Sequence, residues 1–236
     1  MLTGRVVLVN GAKGDLGVAV VRELAAAEAT IVATARDPTR VEALRIEVGL
    51  PGERYLARAA DLTDPLSAMA LVDAAIARFG SLDILVAATG GWRGGKPIAE
   101  TDVATLNWLL QINLFTVFNA CRAVLPHMLA RGWGRIITVG ARSAQTGQAR
   151  SGAYAASKAA LVALTQSIAA ETRQAGITAN TLLPSTIDTS ANRAAMPDAD
   201  YSRWVKPEQI AATIRFLCSD GASAISGTAI PIYGRS

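Results

Sequence analysis

Short, nearly continuous apolar runs recur along the chain, separated by longer stretches whose apolar residues return every three or four positions. The runs RVVLVN (5–10), TIVATA (30–35), RYLARA (54–59), LDILVAA (82–88), GRIITVG (134–140), ITANTLL (177–183) and TAIPIY (228–233) predict seven strands. Residues 16–27, 38–48, 65–79, 103–129, 153–174 and 207–219 have the amphipathic or alanine-rich character of helices. Strands that are apolar throughout must be buried on both faces, and alternation with helices supplies the cover. The expected fold is α/β: a single doubly wound Rossmann-type domain over 1–236, with a seven-stranded parallel sheet. No composition shift or internal repeat interrupts it. In such a sheet a ligand binds beyond the carboxyl ends of the strands, where the strand order reverses.

Composition narrows the function classes. Just over half of the 236 residues, 51%, are hydrophobic and 18% are charged, as in a globular protein with a large core. The net charge of +4 is mild and scattered. Even the densest basic spacing, Arg36, Arg40 and Arg45, lacks the stripe that a nucleic-acid surface needs. Charge or glycine breaks the apolar runs short of membrane-spanning length, so no membrane association is expected. Cys121 and Cys218 have no CxxC or metal-like spacing. They read as buried free thiols, and a cytoplasmic location is the expectation. His127, the one histidine, is late in a long helix and reads as a surface residue.

Candidate chemistry follows the strands. NGAKGDLG, after the first, places glycines at 11, 14 and 17 at the mouth of a helix. Such a turn lets the backbone approach a pyrophosphate and offers it the free N–H groups of the helix end. Gly11, Lys13, Gly14, Asp15, Leu16 and Gly17 are therefore candidate cofactor contacts. The second strand ends in TARD, where an acidic residue would select NAD and a basic one NADP. Ala35 leaves the acidic position empty and Arg36 follows, which favours NADP with Lys13 as a second cation. Adjacent Asp37 keeps NAD open, and Arg36 also reads as an ordinary solvated loop arginine.

Tyr154 and Lys158 stand four residues apart on one helix face. A free tyrosine titrates near ~10, and a neighbouring ammonium, with a nicotinamide cation in the oxidised complex, is expected to pull that value down. Tyr154 is then the general acid/base and Lys158 its activator. The alternative is a packed tyrosine and a surface lysine.

In combination these motifs resemble the short-chain dehydrogenase/reductase family over nearly the whole length. The resemblance includes Asp61-Leu62 after the third strand, GSLDILV before the loop of the fourth, Asn113 in QINLFTVF, and YAASK with Tyr154 and Lys158. It implies an NAD(P)H-dependent oxidoreductase acting on a carbonyl, imine or quinonoid small molecule. Asp61 and Leu62 would lie at the adenine, Ala88 and Gly90 along the cofactor, and Pro184, Ile187 and Thr189 near the nicotinamide carboxamide. Lys158 would also hold the ribose, and Asn113 a water linking Lys158 to solvent. A homo-oligomer, dimer or tetramer, is implied too.

The departures are specific. Asp15 stands where the family has its middle glycine, AATG (87–90) replaces NNAG, and Ala141 occupies the place of the catalytic serine, thirteen residues before Tyr154. Ser143 reads as a plain loop serine or a displaced substitute. Dihydropteridine reductases share the glycine spacing, the GGWRGG loop (90–95), the alanine and a stretch similar to 183–204. That branch implies a planar substrate, with Trp92, Ala141, Met196 and Trp204 as candidate contacts. Trp92 would stack on it or cover its own loop; Met196 and Trp204 would line the pocket or anchor theirs. A second class remains open, a non-catalytic sensor that binds cofactor without turnover. No metal constellation is present in the sequence.

Overall fold

Strand β2 (Thr30–Ala35) spans the apolar run that predicts it, and the other six strands lie within a residue or two of theirs. They are β1 (Val6–Asn10), β3 (Tyr55–Ala59), β4 (Ile84–Ala87), β5 (Gly134–Val139), β6 (Ile177–Pro184) and β7 (Ala229–Ile232). The chain is seen in a computed structural model that describes residues 1–235, the side chain of Pro38 excepted. All seven strands form one sheet in the order β3-β2-β1-β4-β5-β6-β7, and every neighbouring pair is parallel. Order reverses between β1 and β4, where Val9 pairs with Ala33 on one side and Val86 on the other.

Alternate residues of each strand feed opposite faces. Val7, Val9, Ile31, Ala33, Ile84, Val86 and Ile137 join one core, under α1 (Asp15–Ala26), α2 (Pro38–Glu47) and α8 (Pro207–Cys218). Val6, Leu8, Val32, Leu85 and Ile136 join the other, under α3 (Pro65–Phe79), α5 (Thr116–Arg131) and α6 (Gly152–Thr172). Asp-Pro pairs start two of these helices. Asp37 accepts from the Thr39 N–H and Asp64 from those of Leu66 and Ser67, and the following proline needs no N–H partner at a helix start.

The structure corrects the sequence reading at two elements. The single helix expected over 103–129 is α4 (Val103–Leu110), a π turn at Gln111–Phe115, and then α5. A short helix, α7 (Ser190–Ala195), appears inside the loop after β6, capped by the Thr189 hydroxyl on the Asn192 N–H. The apolar length is also greater than the sequence reading allows. The continuous run Val103–Arg131 is long and apolar enough to cross a membrane by length and composition. Here Val117, Ala120, Cys121, Val124 and Met128 of that run pack against the sheet.

A cluster of charged residues lies at the end of the sheet away from the strand carboxyl termini. Buried Asp83 accepts from the Val6 N–H and the Ser81 hydroxyl, and Trp133 is flanked by the guanidinium groups of Arg5 and Arg135, 3.5 and 4.2 Å from its ring centre. His127 belongs here and is not a free surface residue: its Nε2 accepts from the Leu82 N–H at 3.2 Å. Both cysteines are buried and unpaired, as expected.

Candidate active site

The turn after β1 is shaped by backbone contact. Gly11 has φ +82°, and a Cβ there would lie 2.6 Å from Thr89 Oγ1 and 2.9 Å from the Thr89 amide. A Cβ on Gly17 would overlap the Gly11 carbonyl oxygen and stand 2.8 Å from Ala12 Cα. Gly14 is different. Its backbone is extended, and an added Cβ would meet only the Gly11 carbonyl, at 3.7 Å. Gly14 also caps α1 without a side-chain hydrogen bond, so the first-turn N–H groups of the helix have no capping partner. An open cradle in front of free N–H groups fits a pyrophosphate. Leu16 is buried beneath the turn and Lys13 is exposed beside it.

Asp15 occupies the first turn of α1 with its carboxylate directed elsewhere. It accepts from the N–H and the hydroxyl of Ser190, both at 2.6 Å, tying the turn to the start of α7. Asn10 and Thr89, which sequence reasoning passed over, bridge two strand ends: Thr89 Oγ1 donates to Asn10 Oδ1 at 2.7 Å. Asn10 Nδ2 is buried with no partner among the described residues. Their positions just after β1 and β4 were the available signal.

At the end of β2, Arg36 and Asp37 are exposed and Ala35 is buried. Asp37 is occupied as the cap of α2. Hydrogen bonds from the Thr39 hydroxyl and N–H hold its carboxyl below the usual range, and Lys13 and Arg40 add to this. Asp61 is lowered in the same way by the Thr63 N–H and hydroxyl, with Arg36 contributing through its charge. Leu62 is buried, and Asn119 of α5 holds this loop by donating to the carbonyls of Leu62 and Thr63.

Across the reversal point, β4 and β5 present the second half of the site. Lys158 is buried and its ammonium donates to the Val139 carbonyl at 2.8 Å. A Cβ on Gly90 would lie 3.0 Å from both Lys158 Nζ and Asn113 Oδ1, so glycine there brings the chain against both groups. Asn113 is fully buried at the centre of the π turn, a distortion that often marks a functional position. Its Oδ1 accepts from the Gly91 N–H; its Nδ2 donates to the Gly91 carbonyl and to Ser157 Oγ. Ser157 in turn donates to the Tyr154 carbonyl. Both amide hydrogens of Asn113 are thus committed, and its side chain clamps the β4 loop to the helix that carries Tyr154 and Lys158.

Burial reverses the expected acidity. The Tyr154 hydroxyl is pushed up to about 12 by loss of solvent, and Lys158 is drawn down to about 8 for the same reason. The depression of Tyr154 expected from the nearby ammonium is not seen in the chain alone; desolvation dominates and the Lys158 ammonium is bonded to Val139.

Comparison with known proteins agrees with this geometry. The model of the short chain dehydrogenase family matches residues 5–200. The chain belongs to that family. It is 36% identical to the cis-4-hydroxycyclohexanecarboxylate dehydrogenase of Sinomonas cyclohexanicum, over 98% of this chain and 95% of the relative. It is 31% identical to the 3-oxoacyl-[acyl-carrier-protein] reductase FabG of Escherichia coli (strain K12), over 98% and 96%. The crystal structure of levodione reductase superposes with a TM-score of 0.91 at 29% identity, covering 99% of this chain and 98% of that one. The short-chain dehydrogenase fold and an NAD(P)-dependent oxidoreductase activity follow from membership.

The remaining positions named from the family pattern lie at the end of β6 or in the loops after β4, β5 and β6. Ala141 is partly exposed in extended backbone after β5. Ser143 is buried, and its hydroxyl has no hydrogen-bond partner among the described residues. Ala88 is partly buried at the end of β4 and Pro184 closes β6. Ile187 pairs with Val205, and Thr189 is occupied in capping α7. Met196 is 40% exposed where α7 ends. Trp204 packs on Tyr201 at 4.8 Å between ring centres, and so braces its own loop. Trp92 is 62% exposed, and a Cβ on Gly94 would stand 2.9 Å from its ring, so the indole lies across its own loop with one side open.

Proposed function

We propose that the protein is an NADP-preferring reductase of a carbonyl, imine or quinonoid group on a small ring compound, with Tyr154 as general acid and Lys158 and Asn113 as its support. The convergence of Lys158 and Asn113 on Gly90 and Gly91, beside the helix that carries Tyr154, carries this reading. When bound, the nicotinamide supplies the hydride. Tyr154 is protonated at neutral pH, so it can donate a proton to a substrate oxygen or nitrogen. Lys158 lies against the β4 loop, where it would hold the ribose and neutralise charge that develops on Tyr154.

The NADP preference is supported by Arg36 and Lys13, exposed beside the adenosine loop, and by Asp37, whose carboxylate is taken by Thr39. Arg36→Ala is expected to raise KM for NADPH about tenfold or more and leave KM for NADH nearly unchanged. Equal effects on both would return the preference to NAD.

Losing a serine donor at a developing oxyanion costs on the order of 2.7–4 kcal/mol, and the penalty is smaller where a conjugated ring spreads the charge. Ala141 therefore favours a quinonoid substrate, and dihydropteridine reduction is the specific second reading. The Sinomonas relative, a dehydrogenase of a cyclohexanecarboxylate, supports the broader class of ring compounds. The decisive assay is oxidation of NADPH and NADH with quinonoid dihydropterin and with cyclohexanones, beside Tyr154→Phe. Turnover that falls about 100-fold or more in the variant, with cofactor binding retained, supports the reductase. Cofactor binding without turnover of any acceptor, unaltered by the substitution, would identify a sensor instead.

Assembly of copies, as a dimer or tetramer, is supported by Val103, Phe115, Phe118 and Leu129, which are 70, 42, 44 and 49% exposed along α4, the π turn and α5. A cytoplasmic location remains our reading from the two unpaired cysteines.

A further inference from the structure

One cavity has a composition that the proton relay does not use. It lies between the loop after β4 and the first turn of α6, and it encloses about 310 Å³. Trp92, Arg93, Lys96 and Arg150 line it, with the backbone of Ser151 to Ala153 at its base, and no acidic residue does. None of the three cations forms an ion pair among the described residues. Arg93 rests over the Trp108 ring at 3.9 Å, and Asp102 is near enough to Lys96 to feel its charge. Ser151 caps α6 without a side-chain hydrogen bond, so the positive end of a 21-residue helix adds to the same field.

The cavity is built rather than incidental. The Gly95 N–H donates to the Arg150 carbonyl at 2.8 Å, pinning the loop with Arg93 and Lys96 to the start of α6. Arg150 is held at φ +62°, a strained conformation for a side-chain-bearing residue that needs surrounding contacts to persist. Both walls lead to the reacting groups. The loop begins at Gly90, against Lys158 Nζ, and the lining ends at Ala153, next to Tyr154. An anion bound at the base is therefore within about one helical turn, ~5 Å along the axis, of the Tyr154 backbone.

We propose that this cavity is the recognition subsite for a carboxylate on the substrate. Arg150 and Lys96 supply the charge, the α6 N–H groups the directed donors, and Trp92 a flat apolar wall for the ring. The proposal rests on the reductase reading for its substrate. The anion site itself is tested separately.

The test compares 4-oxocyclohexanecarboxylate with its methyl ester, which keeps the ring and ketone and loses the charge. In the NADPH-dependent assay the wild type is expected to favour the carboxylate in kcat/KM. Arg150→Gln and Lys96→Gln are each expected to reduce that preference about ten- to a hundredfold, and Arg150→Lys to restore much of it. A preference unaltered in every variant overturns the proposal. Calorimetry with cyclohexanecarboxylate, which has no ketone, reads the subsite without turnover; saturating NADPH keeps the glycine turn filled. Binding that weakens in Arg150→Gln while neither ketone is reduced supports the subsite and counts against the reductase reading. Equal turnover of both ketones, with cyclohexanecarboxylate binding indifferent to Arg150, leaves the reductase standing and removes the subsite. Binding of inorganic phosphate in place of cyclohexanecarboxylate also overturns the carboxylate assignment.

Discussion

Two glycine-rich loops meet at the carboxyl edge of the sheet, NGAKGDLG after β1 and GGWRGG after β4, and glycine serves a different purpose in each. In the first, Gly17 is crowded by backbone, the Gly11 carbonyl and Ala12 Cα, and Gly11 by the Thr89 amide together with the Thr89 hydroxyl. In the second, Gly91 and Gly94 are crowded mainly by the rings of Trp108 and Trp92, with the Arg150 carbonyl also near Gly94. Backbone joined directly to the end of a buried strand has little room to retreat, whereas an aromatic side chain can turn. The first loop is thus fixed by the fold. The second is fixed by side chains that the fold leaves free to vary, which suits a surface that selects a substrate.

That contrast can be broken in order of severity. Gly17→Ala is expected to lose 4 kcal/mol or more, about the limit for single substitutions, and to yield little folded protein; a normal thermal unfolding midpoint would refute the backbone argument. Gly11→Ala combines left-handed strain with overpacking and is expected to lose about 2–4 kcal/mol, measured by urea unfolding. Gly91→Ala displaces the Trp108 ring and is expected to lose about 1–3 kcal/mol, with much of the loss recovered in the Gly91→Ala/Trp108→Leu double variant. Strict additivity of the two would show that Trp108 is not the obstacle. Gly14→Ala should move the unfolding midpoint least, within about 1 kcal/mol, and weaken NADPH binding instead, because its Cβ enters the cradle. Unchanged affinity would mean that phosphates do not lie there.

The sequence made the sheet legible because its strands are buried on both sides. Periodicity alone located β2 and α3 to the residue, and the glycine turn, Tyr154, Lys158 and Asn113 all lie at strand ends or on facing helices as their motifs require. The π turn was not legible, since QINLF has the same apolar spacing as the α-helix around it. Nor was α7, which at six residues depends on the Thr189 cap and the Asp15–Ser190 bonds more than on any pattern of its own. The acidity of the chain alone was not legible for a physical reason: spacing puts Lys158 near Tyr154, but does not reveal that both are desolvated or that Val139 takes the ammonium. The Asn10–Thr89 bridge joins residues 79 apart, beyond the reach of local motifs.

The π turn at Gln111–Phe115 also sets how two stretches of one rod are clocked against each other. Each residue of an α-helix advances about 100° around the axis, so the additional residue in a π turn offsets everything after it by that angle. Leu109 before the turn and Val117 after it are both fully buried. Removing one residue from the turn would restore regular winding and rotate one of them out of its seat. The extra residue works as a phase shifter: α5 stays locked to the sheet while α4 and Asn113 are dialled toward the cleft. Relatives that differ by a single insertion here would keep the same fold and present a different face to whatever they bind.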